Sequence, residues 1–390
     1  MPFPVTYLID QPAPSETFVR REVELLRGRG WAIDARMLSG GEPLAYALRD
    51  CPRDALARFL RAAAARVAEE LFRSPRTALR ILRRLPQAAS LAAQARASGS
   101  PLLHAHFAGI TADLASIAAA ALALPWTCSV HARDVFTAAP DALWRRLRSA
   151  RAIAACSLQA ARAVTGAGIA ADRVSVLHHG LPLGAYPFRA DRPGGLIFTA
   201  CRLEPKKGLD TLLLACSRLQ DSGVPFTCVI AGTGPALGAL KALAEEKELS
   251  ARVAFAGWLS EEETRSQLAA ASVLALPSRR TADGDRDGIA NILVEGLALG
   301  TPVVTTTAGA AAEVLADDVN GRLVPPDNPE RLAEALAGLL GSEATRLRLS
   351  AAGRRTAEEQ FDGSACIRQL EAFFERARSP ASATPRPTPA

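Results

Sequence analysis

Two cations and two carboxylates carry the first chemical signal in this sequence. Arg202 and Lys207 stand in Arg202-Leu-Glu-Pro-Lys-Lys-Gly208, directly after the apolar run that ends Phe198-Thr-Ala-Cys. A Leu-rich helical pattern follows the glycine, so both cations fall on a strand-to-helix loop. There they can converge on a diphosphate, and a solvated basic loop is the plain alternative. Asp287-Gly-Ile-Ala-Asn-Ile-Leu-Val-Glu295 sets two carboxylates eight positions apart, the first ahead of an expected helix and the second in its third turn. Along a helix that spacing is about 12 Å, roughly the span from a donor sugar across a diphosphate to a ribose. Carboxylates accept hydrogen bonds from sugar hydroxyls, so Asp287 suits a hexose and Glu295 a ribose. Gly288 admits close backbone approach, and the amides of Ile289, Ala290 and Asn291 at the helix start offer positive potential to a phosphate. The competing reading makes Asp287 a helix N-cap and Glu295 an exposed helix residue. The apolar setting of Glu295 weakens it, because a part-buried carboxylate needs a partner.

Other groups narrow the chemistry. Ala231-Gly-Thr-Gly-Pro235 lacks the third glycine and the following acid of a dinucleotide fingerprint. It reads instead as a tight turn in which Gly232 and Gly234 border a nucleotide pocket, with Trp258 on the next strand-end loop near the base. Asp283 and Asp285 have Asp-x-Asp spacing but sit in a Gly-rich loop ahead of the donor helix, so they read as loop structure and no metal is expected. Fixed cations and the helix dipole would meet the diphosphate charge instead. His104 and His106 share one face of a strand; metal binding would need further ligands, and none is apparent in the sequence. His131 closes a strand at its carboxyl edge, a place where a lone histidine is more often structural.

These residues need a scaffold, and the chain is long enough to supply two. At 390 residues, two domains of comparable size are the default. Short β-rich runs alternate with Ala/Leu/Arg helical patterns from end to end, the mark of parallel βαβ layers. The fold class is therefore α/β, with expected strands at 5–9, 33–37, 102–106, 127–130, 152–155 and 174–177, and again at 196–200, 227–231, 253–256, 272–276, 302–305 and 321–324. The Pro/Gly-containing stretch 183–195 marks the boundary. The expected division is 1–190, 191–362, a C-terminal helix 363–378 packing back on the first domain, and a disordered tail 379–390 rich in Pro, Ser, Ala and Thr. Ligands of such sheets bind beyond the strands' carboxyl ends, so two facing sheets make an interdomain cleft.

Composition bounds the setting. The longest apolar stretches are shorter than a membrane-spanning helix, and the N-terminus lacks a signal-peptide form. The seven scattered cysteines show neither pairing nor metal spacing. A cytoplasmic protein is expected. The net charge of +6 suits anionic partners. Arg53–Arg96 carries ten arginines against three acids, interleaved with apolar residues at helical spacing. It reads either as a basic amphipathic helix on anionic lipid at the inner membrane face or as an Arg-rich cover on the first core. No nucleic-acid partner is indicated.

Arg202-Leu-Glu-Pro-Lys-Lys-Gly208, Ala231-Gly-Thr-Gly-Pro235, the acidic pair and Gly300-Thr-Pro-Val-Val-Thr305 together resemble glycosyltransferase family 4, enzymes of the GT-B fold, over almost the whole chain. Ala282–Asn291 and Pro14-Ser-Glu-Thr-Phe18 look most like its exopolysaccharide branch, which includes colanic-acid-type transferases. One departure is Asp287, where the family usually has Glu, one methylene longer. The resemblance implies two Rossmann-like domains and a retaining, metal-independent transfer, without cofactor, from a nucleotide diphosphate sugar to a glycan or lipid-linked acceptor. It assigns Arg202 and Lys207 to the departing diphosphate, Glu295 to the ribose, Asp287 to the donor sugar, and His131 to the active site facing that sugar. Acceptors would bind the N-terminal half, where Ser15, Glu16 and His106 are candidates, although Ser15 also suits an N-cap. A nucleotide-sugar epimerase or hydrolase, or a non-catalytic two-domain sugar-binding module, are the competing functions.

Overall fold

The computed structural model describes residues 2–9, 17–38, 44, 48–49, 51–192 and 194–379. Its first half holds β1 (Val5–Ile9), α1 (Thr17–Gly28), β2 (Ile33–Met37), α2 (Arg53–Leu71), α3 (Pro75–Arg83), α4 (Leu85–Ala97), β3 (Leu103–His106), α5 (Ile110–Leu122), β4 (Trp126–Val130), α6 (Ala132–Phe136), α7 (Pro140–Leu147), β5 (Ala152–Ala155), α8 (Leu158–Gly166) and β6 (Val174–Val176). The second half holds β7 (Leu196–Ala200), α9 (Leu209–Asp221), β8 (Thr227–Ala231), α10 (Leu237–Glu246), β9 (Val253–Gly257), α11 (Glu261–Ala270), β10 (Val273–Leu276), α12 (Asn291–Leu299), β11 (Val303–Thr306) and β12 (Arg322–Val324). The long helices α13 (Pro329–Gly341), α14 (Glu343–Phe361) and α15 (Gly363–Arg378) end the chain.

The strands make two parallel six-stranded sheets, ordered β2-β1-β3-β4-β5-β6 and β12-β11-β10-β7-β8-β9. The central strands are buried because helices cover both faces; Trp126–Val130 and Val273–Leu276 are buried throughout, and the polar side chains carried by β3 and β4, His104 with Thr127 and Ser129, satisfy one another. In each sheet the order reverses beside the first strand, β1 next to β3 and β7 next to β10, which opens a crevice at the strands' carboxyl ends. All twelve expected strands are present, within two residues at each end.

Two of the contacts that tie the halves come from the end of the chain. α15 buries Ile367, Leu370, Phe373 and Phe374 against Phe3, Val5, Tyr7 and Trp31 of the first half. Leu181 pairs with Asp362, and a Cβ on Gly363 would meet the Leu181 carbonyl oxygen at 2.8 Å, so the chain returns close to where it first crossed over.

The Arg-rich stretch 53–96 is three helices rather than one, because Pro75 starts α3 and Pro86 falls in the first turn of α4. Its inner side covers the first core. Arg66 is buried between Glu70 at 2.7 Å and Asp113 at 2.8 Å, with Arg145 also on Glu70 at 2.9 Å. On the outer side Leu60, Leu71, Phe72, Leu79 and Leu82 are exposed, Phe72 by 92%. No helix among the described residues is long and apolar enough to cross a membrane. All seven cysteines are free and at least half-buried.

Candidate active site

The crevices of the two sheets face each other across two adjoining cavities of about 300 and 310 Å³ that share Ala200, Cys201, Arg202, Asn291 and Ile292. Arg202 and Lys207 enter from the β7–α9 loop. Gly232 and Gly234 let the β8–α10 loop close upon it: with φ +125° and +159°, a Cβ at either would meet the carbonyl oxygen of Cys201 at 1.9 Å or of Leu203 at 2.5 Å. Gly232 lines the cavity, and Gly234 packs behind it.

Lys207 and Asp287 form the buried centre of the second cavity. Lys207 Nζ donates to both carboxylate oxygens of Asp287 at 2.7 Å, and Ser278 Oγ donates to one of them at 2.7 Å. Burial alone would drive both groups toward neutrality, yet their mutual attraction wins: it holds the lysine above its usual range and the aspartate below. Lys206 bonds Asp285 at 3.1 Å, and Asp283 accepts from Thr281 and from the Asp285 amide, so this Asp-x-Asp is spent within its loop. Arg202 is 37% exposed, restrained by Glu204 at 3.2 Å, and lines both cavities.

The acidic pair departs from its expected geometry. The helix begins only at Asn291 with Ala290 as its extended N-cap, so Asp287 is not the cap and Glu295 lies in the second turn rather than the third. Lys207 and Ser278 hold Asp287 out of the helix, and Gly288 to Ala290 cross the gap through a bend at Gly288 and Ile289 that lines the second cavity. The uncapped amides therefore start at Asn291, and Ile289 and Ala290 contribute backbone ahead of the helix.

Glu295 is buried, and its partner comes from the other half. Arg21 on α1 donates to Glu295 Oε1 at 2.8 Å and to the Tyr186 hydroxyl at 3.0 Å. Burial pushes the Glu295 carboxyl up, and Arg21 draws it back toward the ionised form. Trp258 stands at the lip of this cavity, 62% exposed.

The histidines form a chain the sequence did not reveal. His106 Nε2 lies 3.0 Å from Glu22 Oε1, His106 Nδ1 lies 3.4 Å from His131 Nε2, and His131 Nδ1 lies 3.4 Å from His179 Nε2. Tyr7 Oη also donates to Glu22, at 3.0 Å. Burial opposes charge on Glu22, but the imidazoles of His106, His104 and His179 hold its carboxyl at about 2. An ionised carboxylate only accepts, so His106 carries a proton on Nε2 toward Glu22. Burial pushes His131 well below its usual range and His179 down to about 4, so both are neutral near pH 7. His131 thus lines the Asp287 cavity, but its ring nitrogens face His106 and His179. Glu22 also corrects the expectation that no further ligand-type group stands by His104 and His106. Both nitrogens of His104 are engaged by hydroxyls, Thr127 at 2.7 Å and Ser129 at 3.1 Å, so the cluster is built as a hydrogen-bond network. Ser15 and Glu16 lie outside the described residues, as do residues 380–390 of the expected tail.

Sequence reasoning missed Arg21, Glu22, Tyr186 and His179. The pattern gave one faint cue: α1 carries charge at Arg21 and Glu22 on positions that turn inward.

The family model of glycosyl transferases group 1 matches residues 189–356, and that of glycosyltransferase family 4 matches residues 15–184. The Escherichia coli K12 protein WcaL, named for colanic acid biosynthesis, is 31% identical over 53% of this chain and 52% of its own length. The amylovoran biosynthesis glycosyltransferase AmsK of Erwinia amylovora is 33% identical over 46% of this chain and 44% of its own. The chain thus spans about half the length of the curated relatives it matches. Anabaena HepE, solved in complex with UDP-glucose, superimposes with a TM-score of 0.73 over 96% of this chain and 99% of its own, at 16% identity, which shows a shared fold.

Proposed function

Because this chain belongs to glycosyltransferase family 4 and has its GT-B fold, we propose that it moves a sugar from a nucleotide diphosphate to a glycan or lipid-linked acceptor in the building of a surface polysaccharide or glycolipid. The observation that carries this reading is the buried Lys207–Asp287 pair beside Arg202, across the cavity from His131. Arg202 and Lys207 face the growing charge of the departing diphosphate, together with the uncapped amides of α12. Asp287 takes a donor-sugar hydroxyl, Glu295 the ribose, and Trp258 the face of the base. The donor's anomeric configuration is retained and no divalent ion is required.

In this reading the α2–α3 hairpin rests on anionic lipid, its exposed Leu71, Phe72, Leu79 and Leu82 entering the interface beside Arg73, Arg76, Arg80 and Arg83. The deciding experiment is a screen of nucleotide sugars for protection against thermal unfolding, followed by transfer assays with and without EDTA. Protection by a nucleotide diphosphate sugar and EDTA-insensitive turnover are expected. Absence of protection by every nucleotide sugar would refute the donor assignment, and a manganese requirement would refute the metal-independent mechanism.

A further inference from the structure

A third cavity, about 670 Å³, opens on the first sheet beside the cleft. Arg80 from α3, Arg133 from α6 and Arg146 from α7 all line it, and Asp134 is the only carboxylate lining it among the described residues. Asp134 already accepts from the His131 amide at 3.0 Å. Arg80 and Arg133 are exposed and have no ion-pair partner among the described residues, while Arg146 leans on Asp113 at 3.9 Å. Positive charge is therefore in excess on a concave, mainly polar surface.

Its position gives that charge a meaning. Phe107, Arg133 and Asp134 line both this cavity and the one holding Lys207 and Asp287, so a ligand here abuts the site of sugar transfer. On its other side Arg80 shares α3 with the exposed Leu79 and Leu82. Guanidinium groups from three separate elements suit a multiply charged oxyanion with several acceptor oxygens better than a single carboxylate.

We infer that this cavity binds a phosphoryl oxyanion of the acceptor, so that the acceptor glycan is anionic, bearing a phosphate or the diphosphate that joins it to a lipid. The inference rests on the glycosyl-transfer reading above and adds the acceptor's class to it. The cavity fixes the oxyanion, the attached sugar reaches past Phe107 toward Asp287, and any lipid portion leaves along α3.

The test is a calorimetric titration of inorganic pyrophosphate into the full chain whose donor site is saturated with a nucleoside diphosphate from the screen. Wild type is expected to bind, and Arg80→Gln/Arg146→Gln to bind at least about tenfold more weakly, with nucleotide affinity unchanged. Arg80→Gln alone, at an exposed position, shows a smaller loss in the same direction and guards against a folding defect in the double variant. In transfer assays the double variant should raise the Michaelis constant for a glycan phosphate and for the same glycan on a prenyl diphosphate, and leave that of a neutral glycan unchanged. A lower constant for the prenyl-linked form assigns the oxyanion to a lipid carrier; equal constants assign it to a glycan phosphate. Pyrophosphate binding that is absent in wild type, or equal in all three proteins, would overturn the inference. If no nucleotide binds and no sugar is transferred, the glycosyl-transfer reading fails, and titration of the nucleotide-free proteins still decides whether these arginines hold an oxyanion.

Discussion

Replacing Lys207 by Ala should cost both stability and turnover, and the two losses can be separated. Lys207 and Asp287 are each 11% exposed at the side chain and meet at 2.7 Å. Breaking a buried pair by deleting one partner typically costs about 3–5 kcal/mol, because the survivor keeps its charge in a poor solvent. Here Asp287 keeps the Ser278 hydroxyl at 2.7 Å and has Lys206 at 4.0 Å, which offset part of that. A net loss of about 2–3 kcal/mol follows, roughly 5–10 °C in the melting temperature of a unit this size. Lys207→Met/Asp287→Asn removes both charges and should recover most of the stability. Turnover should behave differently. If the lysine meets charge that grows on the diphosphate in the transition state, Lys207→Ala loses about a hundredfold or more in kcat, and the double variant remains as slow. Calorimetry of the wild type, Lys207→Ala and the double variant, with kcat for each, reads both quantities. Recovery of turnover along with stability in the double variant, or an unchanged kcat in Lys207→Ala, would show the pair to be structural and refute the argument.

Glu295→Ala should weaken nucleotide diphosphate binding by about ten- to a hundredfold, the worth of hydrogen bonds to a charged acceptor, as measured by calorimetry; wild-type affinity would remove Glu295 from the ribose. Glu22→Gln keeps the shape of the His106 partner but not its charge, so kcat should fall by roughly an order of magnitude with the donor's Michaelis constant unchanged, and equal kcat would reduce the histidine chain to packing. Acid should destabilise the protein early. His104 and His179 sit at about 3 and 4 in the folded state, below the usual 6.5, so the unfolded chain binds more protons below pH 6.5 and stability falls as pH drops toward 4. Glu22, at about 2 against 4.5, adds stability above pH 4.5 that is lost between 4.5 and 2. Each group withdraws up to about 1.4 kcal/mol per pH unit within its window, so a melting temperature flat between pH 7 and 4.5 would contradict the buried, neutral histidines.

What the sequence disclosed and what it withheld divide along contact range. β-strand positions were legible because a strand covered on both faces reads as a short, mainly apolar run, unbroken in Val273–Leu276 and interrupted in Trp126–Val130 only by hydroxyls that find partners inside. The Arg202–Gly208 loop was legible because its chemistry lies within a few residues of a strand end. The start of α12 was not, since the residue that keeps Asp287 out of the helix is Lys207, eighty positions earlier. Likewise Glu295 announced by its apolar setting that it needed a partner, but not that the partner is Arg21.

The Arg21–Glu295 contact carries a consequence for the order of events at the site. Glu295 belongs to α12 and Arg21 to α1, so the carboxylate assigned to the ribose is already bound to the opposite half of the molecule, with Tyr186 at 3.0 Å completing the contact. Arg21 is itself buried, and losing Glu295 would leave it only the Tyr186 hydroxyl at 3.0 Å and Glu261 at 3.8 Å, at a cost of about 1–3 kcal/mol. A ribose that approaches Glu295 therefore either shares the carboxylate, taking Oε2 while Arg21 keeps Oε1, or displaces Arg21 and parts the two halves there. Sharing is favoured by the geometry, because Arg21 is bonded to Oε1 alone, and it gives the nucleotide a contact that draws the two halves together about the donor. The carboxylate assigned to the ribose thus also joins the two halves of the site.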